Sequence, residues 1–189
     1  VFPNMSVTLA VDVGDAERVF LVPVHEGEHA SVGTVAEVTD RVRLPGGAEA
    51  VALNGLHRGV AGAARTDPDG RLYVEVDERP DVDPPRIQTA ELEREYRAVV
   101  EEILEVRDAD PRIRAFVRAI TGAGALADTC AYSPEVSFAE KVELLEAVEI
   151  VPRLELALRL QRERPAALPV RRRIREDMAS GAQKQPREY

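Results

Sequence analysis

The chain has 189 residues, 44% of them hydrophobic, and a formal net charge of −9. Its apolar runs fall short of the ~18 residues that a membrane-spanning helix needs, and its one cysteine, Cys130, excludes an internal disulfide or a cysteine-rich zinc site. The acidic balance argues against general nucleic-acid binding, which depends on neutralising phosphates with Lys and Arg.

The first 85 residues have the pattern of short β-strands separated by turns. Alternating or β-branched stretches predict strands near 7–11, 19–24, 32–38, 49–53 and 72–76. The sequences at 44–47 and 67–70 are typical of turns, and Asn54-Gly55 is expected to end the fourth strand. We therefore predict a small β lobe, barrel-like or sandwich-like, at residues 1–85.

The segment 79–85 marks a change in composition. Pro80, Pro84 and Pro85 lie there among acidic residues, and proline cannot donate a hydrogen bond to a strand ladder. We expect an extended linker that joins two lobes of separable stability. The second lobe, residues 86–164, is predicted to be a helical bundle, which makes the fold class α+β.

Two helices are predicted in the first half of the bundle. Apolar residues recur at helical spacing from Leu92 to Leu104, and Thr89 can cap this helix. Asp110-Pro111 has the form of a second helix start, with an N-cap Asp and a proline at the first helical position. The face expected to be buried behind it consists of Ile113, Phe116, Val117 and Ile120.

Two further helices are predicted after Tyr132. Ser137 and Glu140 have the spacing of a reciprocal capping box, and Pro152 predicts that a helix restarts nearby. The face expected to be buried in the first of these helices consists of Phe138, Val142, Leu145 and Val148, and one side of the second consists of Leu154, Leu158 and Gln161.

The last segment, 165–189, is basic, and its apolar residues form only a thin stripe. A single narrow stripe on a charged helix cannot be buried deeply in its own domain, so we expect a projecting helix. The stripe consists of Val170, Ile174 and Met178. Because the chain starts at Val1 in a strand-like context and stops at Tyr189 in a helix-like one, we expect a fragment of a longer protein.

Motifs that would carry catalysis are weak. The sequence lacks the GxxxxGK[ST] loop that cradles nucleotide phosphates, and Ser137, four residues before Lys141, is explained as a helix cap. His25 and His29 lie four apart with no evident third ligand, and Cys130 has the surroundings of a buried thiol. We therefore expect no catalytic, cofactor or metal site in this chain.

Several short segments are informative because of the order in which they occur. They are FPNM at 2–5, GTVA at 33–36, LPGG at 44–47, VALNGLHR at 51–58, EKVELLE at 140–146, RL at 153–154 and QPREY at 185–189. This set resembles the N-terminal domain of ATP-dependent Lon proteases over nearly the whole chain. The connection at 14–18 departs from the family, which usually has a longer helix there, and the family's strand before FPNM is missing.

The resemblance implies a non-catalytic domain that recognises unfolded or damaged proteins in quality control and supports a homo-hexamer. It implies a bacterial, cytoplasmic parent, an AAA+ serine endopeptidase with a Ser–Lys dyad, which would use ATP and Mg²⁺ outside this chain. Unfolded polypeptide is recognised by shallow apolar surface. The substrate-binding candidates are apolar residues near turns, namely Pro3, Met5, Leu44, Pro45 and Leu56, followed by Tyr132 and Phe138, and the assembly candidates are Val170, Ile174 and Met178.

Three alternatives compete with this interpretation. The first is a stand-alone Lon-domain protein that binds a small ligand or a partner and has no ATPase. The second is a β-barrel nucleic-acid module, which the acidic β lobe disfavours. The third is a ubiquitin-ligase substrate receptor of the cereblon kind, whose cysteine-rich zinc domain one cysteine cannot supply.

Overall fold

The structure, a computed structural model, describes residues 1–43, 49–68, 70 and 72–163. Within these residues the strands precede the helices, so the predicted α+β class with a β lobe followed by helices is confirmed. The strands are β1 (Ser6–Leu9), β2 (Arg18–Leu21), β3 (Val24–His25), β4 (Glu28–His29), β5 (Val32–Arg43), β6 (Glu49–Thr66) and β7 (Leu72–Arg79). The helices are α1 (Arg86–Val106), α2 (Pro111–Ala119), α3 (Ala123–Asp128), a 3-10 helix (Thr129–Tyr132), α4 (Phe138–Glu146) and α5 (Ile150–Arg162).

The main sheet is antiparallel, with the strand order β1-β6-β5-β2 and with β7 paired to the second half of β6. β6 has 18 residues and continues through Asn54-Gly55, so the expectation that this pair ends a strand is wrong. Gly55 serves a different purpose. Its N–H donates to the Met5 carbonyl at 2.8 Å, and a Cβ at this position would collide with the Phe2 carbonyl oxygen. The glycine therefore lets the N-terminal segment lie directly against the strand.

β5 does not follow the simple alternation that the sequence predicts. All five residues from Val32 to Ala36 are buried, whereas a strand with one solvated face would bury every second side chain. The two ends of this run belong to different cores: Val32 packs with the helices, and Ala36 packs with Val51 and Leu53 inside the β lobe. β5 thus lies between two layers.

Helix starts follow the sequence in two places and depart from it in one. The Asp110 carboxylate accepts a hydrogen bond from the Arg112 N–H at 2.8 Å, as an N-cap should. Ser137 and Glu140 form the predicted capping box. Thr89 is not a cap, because α1 already begins at Arg86 after Pro85 and Thr89 is buried within the helix. Proline pre-sets the backbone angle at a helix start, so the chain enters the helix directly from the linker.

The larger hydrophobic core is shared by the two lobes. Phe2 and Val32 of the β lobe belong to the same cluster as Tyr96, Leu126 and Leu154 of the helical lobe. The second cluster, inside the β lobe, is much smaller. Burial of apolar surface stabilises a fold in proportion to area. Most of the larger core lies inside the helical lobe, and the β lobe joins it through Phe2 and Val32.

Part of the predicted buried face is exposed. Ile113 and Phe116 of α2 and Phe138 at the start of α4 are each about half exposed, so the expectation that they lie in the core is wrong. By contrast, Leu154, Leu158 and Gln161, which share one side of α5, are buried. α2 contributes no fully buried residue. Its Val117 packs against the core from a partly buried position, while Ile113 and Phe116 line a groove. No helix in the described ranges is both long and apolar enough to cross a membrane.

Candidate functional site

A groove on the helical lobe lies between α1, α2, the 3-10 helix and the end of α5. Its volume is about 480 Å³ and its lining is almost wholly apolar. α1 supplies Val100 and Ile103, and α2 supplies Ile113 and Phe116. Each pair is three residues apart, a spacing that puts both side chains on the same face of a helix. The groove therefore lies between one face of α1 and one face of α2.

One wall of the groove is aromatic. The rings of Phe116 and Tyr132 meet edge to face, with centroids 6.4 Å apart and planes at 82°, a favoured geometry for aromatic pairs. Both side chains are exposed, Phe116 by 54% and Tyr132 by 55%. Burial, and next the negative charge of Asp128, raise the pKa of the Tyr132 hydroxyl above 10.0. The wall is therefore neutral at physiological pH.

A directed chain of hydrogen bonds runs beneath this apolar lining. The Thr129 hydroxyl donates to the Leu126 carbonyl at 2.6 Å, so it must accept from the Tyr96 hydroxyl, 2.9 Å away. The Tyr96 oxygen then accepts from the Gln161 Nε2–H at 3.3 Å. This order fixes the orientation of the Gln161 amide, because only the nitrogen of the amide can donate.

The other end of the Gln161 amide has no partner. The side chain lines the groove and is only 3% exposed, yet its Oε1 makes no hydrogen bond to any residue that the structure describes. A buried acceptor without a donor costs about 1–3 kcal/mol. This acceptor is closed off from solvent, so it lies behind the apolar lining and is not part of the open surface of the groove.

The rim of the groove carries positive charge. Arg107 and Arg112 both line it. Arg107 is paired with Glu135, whereas among the described residues Arg112 forms no ion pair and is exposed. Glu135 therefore offsets one of the two positive charges at the rim.

Two buried arginines lie at the junction of the lobes. Arg58 of β6 donates two hydrogen bonds to the Asp128 carboxylate of α3, at 2.7 and 2.9 Å, and a further one to the Leu145 carbonyl at 2.8 Å. Arg153 of α5 donates two to Asp81 of the linker, at 2.8 and 2.9 Å. Both arginines are fully buried. Their donors are directed at carboxylates and carbonyls of the protein itself, so this network is suited to holding the lobes together.

The predicted substrate-binding residues are less exposed than expected. Pro3 is buried, and Met5 and Leu56 are half-buried. A tight turn, in which the Met5 N–H donates to the Phe2 carbonyl at 3.1 Å, folds this segment onto the core, and Leu56 lies inside β6 and not at a turn. The remaining candidates lie outside the described residues: Leu44, Pro45, Val170, Ile174 and Met178.

The residues that were considered as catalytic or metal-binding candidates take part in capping, burial or packing. The Ser137 hydroxyl belongs to the capping box, and Cys130 is buried as predicted. His25 and His29 were expected in a loop but lie in the β3–β4 hairpin, where the His25 ring packs at 5.6 Å from Phe138. Within the described ranges, no group of three or more His, Cys, Asp or Glu side chains is placed to hold a metal ion.

Sequence reasoning missed most of the groove. Tyr132 was a candidate, but Ile113 and Phe116 were assigned to the core, and Gln161 was only placed on one side of the last predicted helix of the bundle. Helical spacing shows that apolar residues share a face, and it does not show whether a neighbour covers that face. The available signal was the short length of α2, followed by the glycines at 122 and 124, which leaves little chain to cover its apolar side.

Comparisons with known proteins agree with this architecture. The family model described as "ATP-dependent protease La (LON) substrate-binding domain" matches residues 13–162. Among solved structures, the N-terminal domain of Mycobacterium avium complex Lon protease is 29% identical, with a TM-score of 0.74, over 86% of this chain and 92% of that one. The Lon N-terminal domain protein from Xanthomonas campestris, 19% identical with a TM-score of 0.61, covers 84% of this chain and 90% of its own and supports the fold alone.

Curated relatives match over most of this chain. The Lon protease of Chloroflexus aurantiacus is 37% identical over 161 residues, which is 84% of this chain and 19% of that protein. The Lon protease of Salinispora arenicola is 36% identical over 183 residues, 95% of this chain and 23% of that protein. The chain thus spans about a fifth to a quarter of the relatives it matches. It belongs to the family of the ATP-dependent protease La (LON) substrate-binding domain.

Proposed function

We propose that this chain selects unfolded or damaged polypeptides for a Lon-type ATP-dependent protease, and that the groove on the helical lobe takes part in that selection. The observation that carries the proposal is the groove itself, which has a volume of about 480 Å³ and an apolar lining, on a chain of the substrate-binding family. Contiguous exposed apolar surface is costly in a soluble protein and marks sites of interaction. Unfolded chains expose the apolar side chains that native proteins bury.

The groove is a better candidate than the N-terminal turn. Phe116 and Tyr132 are more than half exposed and adjacent, whereas Pro3 is buried and Met5 packs against the core. A contribution from the β-lobe surface near Met5, Leu44, Pro45 and Leu56 stays part of the proposal. The two surfaces differ in position, so one titration distinguishes them.

The proposal extends to a parent protein. The relatives named above are Lon proteases four to five times longer than the matched region. We infer a cytoplasmic bacterial enzyme, an AAA+ homo-hexamer whose ATP, Mg²⁺ and Ser–Lys dyad belong to other parts of it. In this arrangement the chain contributes binding and assembly, and Val170, Ile174 and Met178 remain the candidates for contacts between subunits.

The proposed binding is tested with one protein in two states. A reduced, carboxymethylated protein that stays unfolded, and the same protein in its native form, are each titrated into the chain by calorimetry. We expect binding of the unfolded form, with a negative heat-capacity change because apolar surface is buried, and no binding of the native form. Equal binding of both forms, or of neither, would overturn the proposal.

A further inference from the structure

We infer that the groove binds a segment of this same chain, residues 165–169, and that an unfolded polypeptide must displace this segment in order to bind. The segment has the uncharged sequence Pro-Ala-Ala-Leu-Pro and begins two residues after Glu163, where the described part of the chain ends. The regulatory part of the inference rests on the proposed function, whereas the docking itself does not. Three observations support the docking: the position of the groove beside the end of α5, its length, and the charges at its opposite end.

The groove begins where α5 ends. Gln161, the second-last residue of α5, lines the groove and donates to the Tyr96 hydroxyl, and its neighbour Arg162 is paired with Glu95. Both contacts place the end of α5 beside the first half of α1. The chain that follows Glu163 therefore starts at one end of the groove and needs no long connection to reach it.

The length of the groove matches the length of the segment. Along α1 the lining extends from Tyr96 to Arg107, which at about 1.5 Å per residue is about 16 Å. Five residues in the polyproline II conformation also span about 16 Å, at about 3.1 Å per residue. Pro165 and Pro169 favour that extended conformation, because each fixes its own φ and biases the residue before it.

The lining suits a proline-bearing apolar segment. Phe116 and Tyr132 form an exposed aromatic wall, and grooves lined by aromatic side chains are common receptors for polyproline II segments. Such a segment loses little conformational entropy on binding, because proline has already restricted its backbone. Leu168 supplies one large apolar side chain, and Ala166 and Ala167 are small enough to lie close to the walls.

The charges that follow the segment match those at the opposite end of the groove. After Val170 the chain continues with three arginines, 171–173. The opposite end of the groove lies at the turn between α1 and α2, where Arg107 and Arg112 line it. Four exposed carboxylates lie at or next to this end, against these two arginines: Glu105, Asp108, Asp110 and Glu135. The excess of negative charge favours the basic residues that follow the segment.

Docking of this segment would regulate access to the groove. A segment joined by a very short tether acts at an effective concentration of the order of millimolar, so weak contacts are enough to fill the groove. An unfolded polypeptide then binds only the fraction of chains whose groove is open, and its apparent affinity is reduced by that fraction. The segment therefore discriminates against weakly apolar polypeptides.

One substitution in the full chain tests the docking and the regulation together. Leu168→Asp places a charge in the segment, while Ala182→Asp adds the same charge outside it and is the control. We expect Leu168→Asp alone to shift the methyl signals of Ile103 and Ile113, which line the groove. We also expect it to tighten the binding of a carboxymethylated, unfolded protein about threefold or more.

Two further measurements locate the contact. A peptide with the sequence of residues 164–173, added to Leu168→Asp, should return the Ile103 and Ile113 signals toward their wild-type positions. Asp108→Asn removes one carboxylate beside the groove, and asparagine tolerates the positive φ of 51° at this position. This change should tighten the binding of unfolded protein about twofold in the wild-type chain and should have no effect in the Leu168→Asp chain.

The methyl signals decide whether the segment binds. Unchanged Ile103 and Ile113 signals in Leu168→Asp would show that it lies elsewhere, and wild-type signals that depend on protein concentration would assign the groove to the segment of a second copy. Shifted signals with an unchanged affinity for unfolded protein would overturn the regulation. If unfolded protein binds neither the wild type nor Leu168→Asp, the proposed function is wrong, while the methyl shifts still test the docking.

Discussion

The Arg58 guanidinium and the Asp128 carboxylate are joined by two hydrogen bonds, 2.7 and 2.9 Å long, across 70 residues of sequence and across the two lobes. The Arg58 side chain is fully buried and the Asp128 side chain is 4% exposed. A buried charge that loses its partner is strongly unfavourable, because neither water nor another ion replaces it. The pair therefore makes the native arrangement of the lobes specific.

Replacing Arg58 by an apolar residue of similar length should destabilise the fold. We expect Arg58→Met to lower the unfolding free energy, measured with urea, by about 3 kcal/mol, because Asp128 stays buried without its main partner. Arg153 Nη1, 3.6 Å from Asp128, offsets part of the loss. Arg159, which forms an exposed pair with Glu143, is the control, and Arg159→Met should cost less than about 1 kcal/mol. Equal costs for the two variants would contradict the role given to Arg58.

The two lobes should unfold together. The larger core is shared by both lobes, and the linker is tied to α5 through Asp81 and Arg153. Although the proline-rich linker predicts separable lobes from sequence, we now expect one urea transition seen equally by near- and far-ultraviolet circular dichroism. Two transitions would show that the lobes are independent.

The rate of proteolysis at the linker tests the ion pair between Asp81 and Arg153. Val82 is 81% exposed, so a protease that cuts beside apolar residues can recognise it. Asp81→Ala should speed cleavage there, because it frees the linker from Arg153. Asp83→Ala, next in the same segment, is the matched control and should cleave at the wild-type rate.

At Gly124, replacing glycine by alanine should lower the stability of the fold, which is opposite to the usual effect inside a helix. Gly→Ala inside a helix commonly stabilises by up to ~1 kcal/mol. A Cβ at Gly124, however, would collide with the Asp81 carboxylate and lie 3.2 Å from Arg153 Nη1. We expect Gly124→Ala to destabilise by about 1–3 kcal/mol, and to become neutral or stabilising in an Asp81→Ala background. A penalty that persists in that background would mean that Asp81 is not its cause.

Acid should weaken one contact on the surface of the β lobe. Hydrogen bonds from Arg18 and then from His57 lower the pKa of the Glu78 carboxyl from its ordinary value of 4.5. A lowered folded-state pKa stabilises the fold above pH 4.5, and this contribution is lost as the pH falls below that value through the folded pKa. We expect Glu78→Gln to be less stable than wild type near neutral pH, and this difference to shrink as the pH falls below 4.5 through the folded pKa.

Local signals in the sequence predicted elements well where one residue decides the structure. Asp110-Pro111 and the Ser137/Glu140 capping box start helices as predicted, since each satisfies backbone N–H groups within a few residues. The prediction that Asn54-Gly55 ends a strand was wrong because Gly55 contacts a segment distant in sequence, the Phe2–Met5 turn. Contacts of that kind cannot be deduced from local pattern.

The same limit of local sequence patterns explains why most of the groove and the buried ion pair were not predicted. Arg58 ends one segment that resembles the Lon family and Arg153 begins another, but nothing local shows that Arg58 meets Asp128. Phe116 was assigned to the core because its spacing is helical, yet the structure leaves it 54% exposed beside Tyr132. Periodicity predicts which side chains share a face, while the partner of that face depends on tertiary packing.

Methyl nuclear magnetic resonance tests the central claim most directly, because it reports on each surface during one titration. An unfolded, carboxymethylated protein is added to the chain labelled at Ile, Leu and Val methyl groups. The account predicts shifts at Ile103 and Ile113 in the groove, with Val51 and Leu53 of the separate β-lobe core unchanged. Shifts confined to Leu56 and its β-lobe neighbours, or no shifts at all, would contradict it.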